Sequence, residues 1–188
     1  TLNRLSIMLC FSVLFGNFVL NDIEGNERRI NFNLNDVTYI DYEGYSRIQS
    51  DKSGFTDEEG MPELPTYSIT YHVDPFIDYE ININVISSHF ENDIVVYPIQ
   101  NQINNIKDKS FSKNLNFYNS NEQYPSNNLW VSDRQVMRGE EFITITVTPF
   151  NYFPSLNKLE VFDEVEIEIV EVGIRENSEY KQMPRSKV

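Results

Sequence analysis

Residues 66–85 read TYSITYHVDPFIDYEININV, and this stretch decides the fold class. Tyr67, Ile69, Tyr71 and Val73 alternate with Thr66, Ser68, Thr70 and His72. After the turn signal Asp74-Pro75, Tyr79, Ile81, Ile83 and Val85 alternate with Glu80, Asn82 and Asn84. Successive side chains of a strand point to opposite faces, so a period of two buries one face and wets the other. The pattern predicts two half-buried strands of an antiparallel sheet.

The same period recurs on either side. Ile143, Ile145 and Val147 oppose Thr144, Thr146 and Thr148, and Val165, Ile167 and Ile169 oppose Glu164, Glu166 and Glu168. The parity then flips at Val170 and Val172, which predicts a bulge or the end of the strand. Upstream, Ile30, Phe32 and Leu34 share one parity, and Val37 and Tyr39 resume after the turn formers Asn35-Asp36, as in a short hairpin. Asp93–Tyr97, stopped by Pro98, and Leu129–Met137 read as further strands. Ser50–Pro65 reads as loop. Residues 101–128 are polar, with Ile103, Ile106, Phe111, Leu115 and Phe117 as sparse apolar points. A stretch of that length without regular structure usually has a task. The expectation is an all-β, antiparallel β-sandwich of about eight or nine short strands with one long polar loop.

Composition points the same way. The 188 residues include no alanine, 22 asparagines, 13 phenylalanines and 11 tyrosines. Alanine is the best helix former, and aromatic and β-branched residues favour strands, so a helical bundle is excluded. A hydrophobic content of 40% supplies a core and excludes full disorder. With 15 basic and 29 acidic side chains the net charge is −14. Such a domain repels phosphates, so neither nucleic acid nor an anionic membrane surface is an expected partner.

The ends differ from the middle. Thr1 stands where a start methionine is expected, so the true start is expected upstream. Residues 5–20, LSIMLCFSVLFGNFVL, follow Arg4 and carry no charge. Sixteen uncharged, mostly apolar residues are short for a membrane span of about 20 but fit the core of a secretory signal. Residues 1–22 are therefore expected to be a signal peptide, and the chain to be secreted or held at the cell surface. Cys10 falls inside it, and Leu9 breaks the small-residue pattern of a lipoprotein box. A mature chain without Cys10 has no thiol. Residues 29–173 form the expected sandwich, and the polar, basic residues 174–188 an expected linker.

Familiar catalytic patterns are missing. A Ser-His-Asp triad needs a histidine held by a carboxylate, and His72 and His89 both read as surface residues. HExxH, CxxC, phosphate-loop and GxGxxG patterns do not occur, so no metal or other cofactor is expected. Glu164, Glu166 and Glu168 share one face, but a straight strand spaces them too widely to chelate one calcium ion.

More specific elements follow one another in order. Gly60-Met61-Pro62-Glu63-Leu64-Pro65 runs into the Tyr/Ile-rich strand. Tyr97-Pro98-Ile99-Gln100, Tyr124-Pro125, Arg138-Gly139 and Pro149-Phe150-Asn151-Tyr152-Phe153-Pro154 come next, leading to Leu159. This ordered set, from about Arg29 to Val172, resembles the N-terminal propeptide of gingipain-type cysteine peptidases, which are secreted and caspase-like. The resemblance implies a β-sandwich that keeps a following catalytic domain of the same polypeptide latent, assists its folding and is then cut away. The catalytic His and Cys of that family lie in the later domain, so none is implied here. For a peptidase that prefers Arg or Lys, a basic side chain on a projecting loop can fill the specificity pocket. The resemblance thus marks Lys107, Lys109, Lys113, Arg134 and Arg138 as inhibitory candidates, and Arg175, Lys181, Arg185 and Lys187 as candidates for the processing junction. The rival is an extracellular adhesion or glycan-binding sandwich, whose aromatic platform would draw on Trp130, Tyr118 and Tyr124. Trp130 itself reads as a core residue.

Overall fold

The alternating segments pair as antiparallel strands. The computed structural model describes residues 18–22, 26–100 and 111–175. In chain order the elements are β1 (Phe18–Asp22), β2 (Glu27–Asn33), β3 (Thr38–Tyr42), β4 (Tyr45–Gln49), β5 (Gly54–Phe55), β6 (Pro65–Val73), β7 (Ile77–Asn92), the helical turn α1 (Leu115–Tyr118), β8 (Leu129–Val131), β9 (Gln135–Met137), β10 (Glu140–Val147), β11 (Phe150–Phe153) and β12 (Lys158–Ile174).

Two five-stranded sheets are each organised on one strand. β12 pairs with β7 from Lys158 to Ile174, while β11 and β2 take successive stretches of its other edge and β1 continues outward from β2. In the second sheet β10 pairs with β6 along one edge and with β8 and β9 on the other, and β5 adds to β6. β3 and β4 form a separate hairpin.

The inward rows of the two sheets make one core. Ile30, Phe32, Val165, Ile167 and Ile169 of the first sheet join Tyr67, Val73, Ile143, Ile145 and Val147 of the second. The rings of Phe32 and Tyr67 meet across the layers, centroids 4.9 Å apart. Each fully buried side chain of this size is worth about 1.5–3 kcal/mol relative to exposure. That packing makes the architecture a sandwich.

The Gly60–Pro65 element is a backbone crossroads. Gly60 sits at φ 78, and a Cβ there would lie 3.0 Å from the Asn114 nitrogen. Its N–H donates to the Ile99 carbonyl (2.9 Å), and its carbonyl accepts from Asn114 N–H (3.0 Å). Glu63 N–H donates to Tyr97, and Ile99 N–H to Met61, both at 2.8 Å. A glycine is required here because only it combines positive φ with so close an approach. The element thereby fastens the segments at 97–99 and 112–114 to the sandwich.

Several strand expectations change. There are twelve strands among the described residues, and β7 and β12 are long, 16 and 17 residues. β2 and β3 do not form a hairpin: β2 joins β12, and β3 pairs with β4, which has a single buried residue, Ile48, and hence little periodic signal. Asp93–Tyr97 is not a strand; its backbone hydrogen bonds go to Ser46, Glu63, Asn157 and the Tyr118 hydroxyl. Leu129–Met137 is broken at 132–134 into β8 and β9. The expected irregularity near 170–172 is present as a register shift between Glu171 and Gly173. Trp130 is not in the core. It pairs opposite Thr146 on the outer face and is 59% exposed, whereas Leu129 and Val131 turn inward.

Phe32→Ala is expected to lower the urea-unfolding free energy by about 3–5 kcal/mol. Trp130→Ala should change it by no more than about 0.5 kcal/mol, as for a surface substitution.

Candidate functional site: a basic hairpin

β9 and β10 form a hairpin joined by two residues, Arg138 and Gly139. Gln135 pairs with Phe142, Val136 with Glu141 and Met137 with Glu140. The turn residues have φ of 56 and 84. Two successive positive values match the twist of the flanking strands, which is why Gly follows a tolerant first residue here. Arg138 is exposed and has no side-chain hydrogen bond or ion pair among the described residues. Val136 and Met137 beside it are 58% and 59% exposed. The tip therefore offers one guanidinium with the apolar Met137 on one side of the turn and the exposed carboxylate of Glu140 on the other.

The other described candidates are engaged. The Lys113 ammonium donates to the Tyr45 hydroxyl (3.2 Å) and lies 4.5 Å and 5.0 Å from the Tyr118 and Tyr45 ring centroids. This is an aromatic box satisfied from within. Arg134 Nη1 donates to the Asp74 carbonyl (2.9 Å) and to Glu141 Oε2 (3.1 Å), while Nη2 donates to the Ile77 carbonyl. Arg175 Nη1 donates to the same Glu141 oxygen at 3.2 Å. Glu141 is buried, its side chain 7% exposed. Arg134 and Arg175 line a cleft of about 470 Å³ together with Val73, Tyr79 and Ile143. Lys107, Lys109, Lys181, Arg185 and Lys187 lie outside the described residues, as does Cys10.

The histidines sit on the surface beside carboxylates. His72 Nε2 is 3.0 Å from Glu140 and His89 Nδ1 2.8 Å from Asp163. Each is exposed, and neither faces a serine or cysteine nucleophile in these contacts. In the Glu164–Glu166–Glu168 row, Arg29 lies 3.6 Å from Glu166 and 3.7 Å from Glu168. The aromatic platform of the rival reading is not assembled. Tyr118 is buried and donates to the Val96 carbonyl at 2.8 Å, and Tyr124 is half-buried against Phe117.

Burial pushes the Tyr152 phenol from its ordinary value of 10 up to about 12. Tyr118 is raised too, first by burial and then by the neighbouring Tyr152, Tyr45 and Tyr124. An unfolded tyrosine ionises near 10, so these neutral phenols stabilise the fold fully below that pH. The contribution of Tyr152 is lost as pH rises from 10 through 12, and that of Tyr118 at still higher pH. An alkaline titration should show a late tyrosinate absorbance step that coincides with loss of the far-ultraviolet strand signal.

Residues 26–183 match the family model Propeptide_C25, and the chain belongs to that family, the propeptides of gingipain-type cysteine peptidases. Two solved structures share the fold. One is the complex of Porphyromonas gingivalis RgpB pro- and mature domains, with a TM-score of 0.71 at 17% identity over 87% of this chain and 90% of that one. The other concerns the zymogenic latency of gingipain K from Porphyromonas gingivalis, with a TM-score of 0.69 at 19% identity over 83% of this chain and 92% of that one. No curated protein matches the chain.

Proposed function

We propose that this propeptide holds a caspase-like catalytic domain, carried downstream on the same polypeptide, in a latent state and assists its folding. The observation that carries the reading is the exposed, unpaired Arg138 at the tip of the β9–β10 hairpin. In a cleft that accepts a basic side chain, the guanidinium enters the specificity pocket and Val136 and Met137 cover the rim. Peptidases bind cleavable segments in extended form. A turn with positive φ at both central residues presents the side chain without an extended backbone. That geometry favours occupancy over cutting.

The apolar leader is read as an export signal, placing the chain outside the cell or at its surface. No described helix is long and apolar enough to cross a membrane. Phe18–Asp22 pair with β2, and the Phe18 ring packs on Phe32, centroids 5.0 Å apart. Cleavage ahead of Phe18 keeps this edge of the sandwich intact, whereas cleavage after Asp22 leaves β2 as the open edge. The residues beyond Ile174, with Lys181, Arg185 and Lys187, supply the linker and processing junction.

The test is direct. The purified chain should inhibit the peptidase domain encoded with it at micromolar concentration or below and hydrolyse no peptide substrate alone. Absence of inhibition at that concentration overturns the proposal. Arg138→Ala should weaken inhibition about 30-fold or more, the size of an interface anchor. An unchanged inhibition constant transfers the role to Lys107 or Lys109.

A further inference from the structure

We infer that Glu141 is a positioning residue: with Arg134 it staples the base of the β9–β10 hairpin, and through Arg175 it joins that staple to the chain's exit from the sandwich. The inference rests on the reading of Arg138 as the inhibitory side chain.

The hairpin needs such a device. Its two strands share three residue pairs, and among the described residues β9 pairs with β10 alone. Val136 and Met137 are exposed, so β9 has little packing to hold it. A hairpin so short is marginal by itself. Arg134 immediately precedes β9, and Glu141 is the second residue of β10, so their 3.1 Å contact closes the base on both sides. The same guanidinium donates to the Asp74 and Ile77 carbonyls in the β6–β7 turn, lies 3.8 Å from Asp78 and 5.7 Å from the Tyr79 ring centroid. Strand β10 is already laddered to β6 from Glu141 onward, so it is β9 that this planar fork, which lysine cannot reproduce, ties to the body of the sandwich.

Arg175 brings in the C-terminal end of β12. Its Nη1 shares the Glu141 oxygen, and its N–H donates to the Phe76 carbonyl at 2.9 Å. The hairpin base and the chain exit therefore meet on one buried carboxylate. A peptidase that takes Arg175 as its basic residue must first draw the guanidinium off Glu141, which removes one of the two positive partners of that carboxylate. Breaking a buried, hydrogen-bonded charge group is costly, so Arg175 is a masked cleavage site while the staple holds.

Four variants separate the possibilities: Glu141→Gln, Arg134→Lys, Arg138→Ala and the double variant Glu141→Gln with Arg138→Ala. In the full chain, Glu141→Gln should weaken inhibition of the encoded peptidase domain about 10- to 100-fold, the cost of a misplaced group. It should add nothing to Arg138→Ala, because it acts through that side chain. Hydrogen exchange should quicken at amides 136–140 and not at Ile145 or Ile167, and trypsin should cut after Arg175 faster than in the unsubstituted chain. Arg134→Lys, which keeps the charge, should reproduce the inhibition and exchange results if Glu141→Gln does not fold. Unchanged inhibition in both staple variants, or a uniform rise in exchange through the core, overturns the inference. If the unsubstituted chain does not inhibit, the functional reading falls first; if it does and only Arg138→Ala loses inhibition, the staple alone is wrong.

Discussion

Strand β12 is the constraint on which the architecture depends. Its backbone is paired along both edges, by β7 throughout and by β11 and β2 in succession. Val161, Val165, Ile167 and Ile169 on its inner face are 0–2% exposed. A strand that is hydrogen-bonded on two sides and buried on one face cannot slip by a residue, because a one-residue slip moves its whole apolar row to water. The second sheet packs on that row, and the β9–β10 hairpin projects from the second sheet. Register shifts against β7 between Phe162 and Val165 bend the strand where its other edge passes from β11 to β2.

The charge of the molecule is distributed to match. The outer face of the first sheet carries Glu160, Glu164, Glu166 and Glu168, relieved by Arg29 near the last two. Lys113, Arg47 and Arg134 are held by aromatic rings or carboxylates. Arg138 is the described candidate left to face solvent.

The inward rows were legible before any coordinates. Ile30, Phe32, Ile143, Ile145, Val165, Ile167 and Ile169 follow from alternation alone, because a strand half in water sorts its side chains by parity. The ordered Pro/Gly elements also pointed to the propeptide family. Among basic residues the sequence left five equal candidates, since a lysine in an aromatic box, an arginine on a buried carboxylate and one at a hairpin tip are the same letters. The signal for Arg138 lay in the following Gly139, a two-residue hairpin pattern between apolar strands. Glu141 gave no sign, because its partners come from 7 and 34 residues away. Trp130 was misjudged because its size suggested the core, while its parity with Thr146 placed it outside.

The chain's own order of residues determined that this protein is all-β, which side of each long strand is buried, and the family it belongs to. These are properties of local period and of short motifs, and they need no knowledge of which strand meets which. Tertiary structure decided the rest: that β2 seeks β12 and not β3, that Gly60 must let Asn114 approach, and that of the described inhibitory candidates Arg138 is the one without a partner. Those outcomes depend on contacts between residues far apart in sequence, where hydrogen bonding and burial choose among pairings that local pattern leaves open.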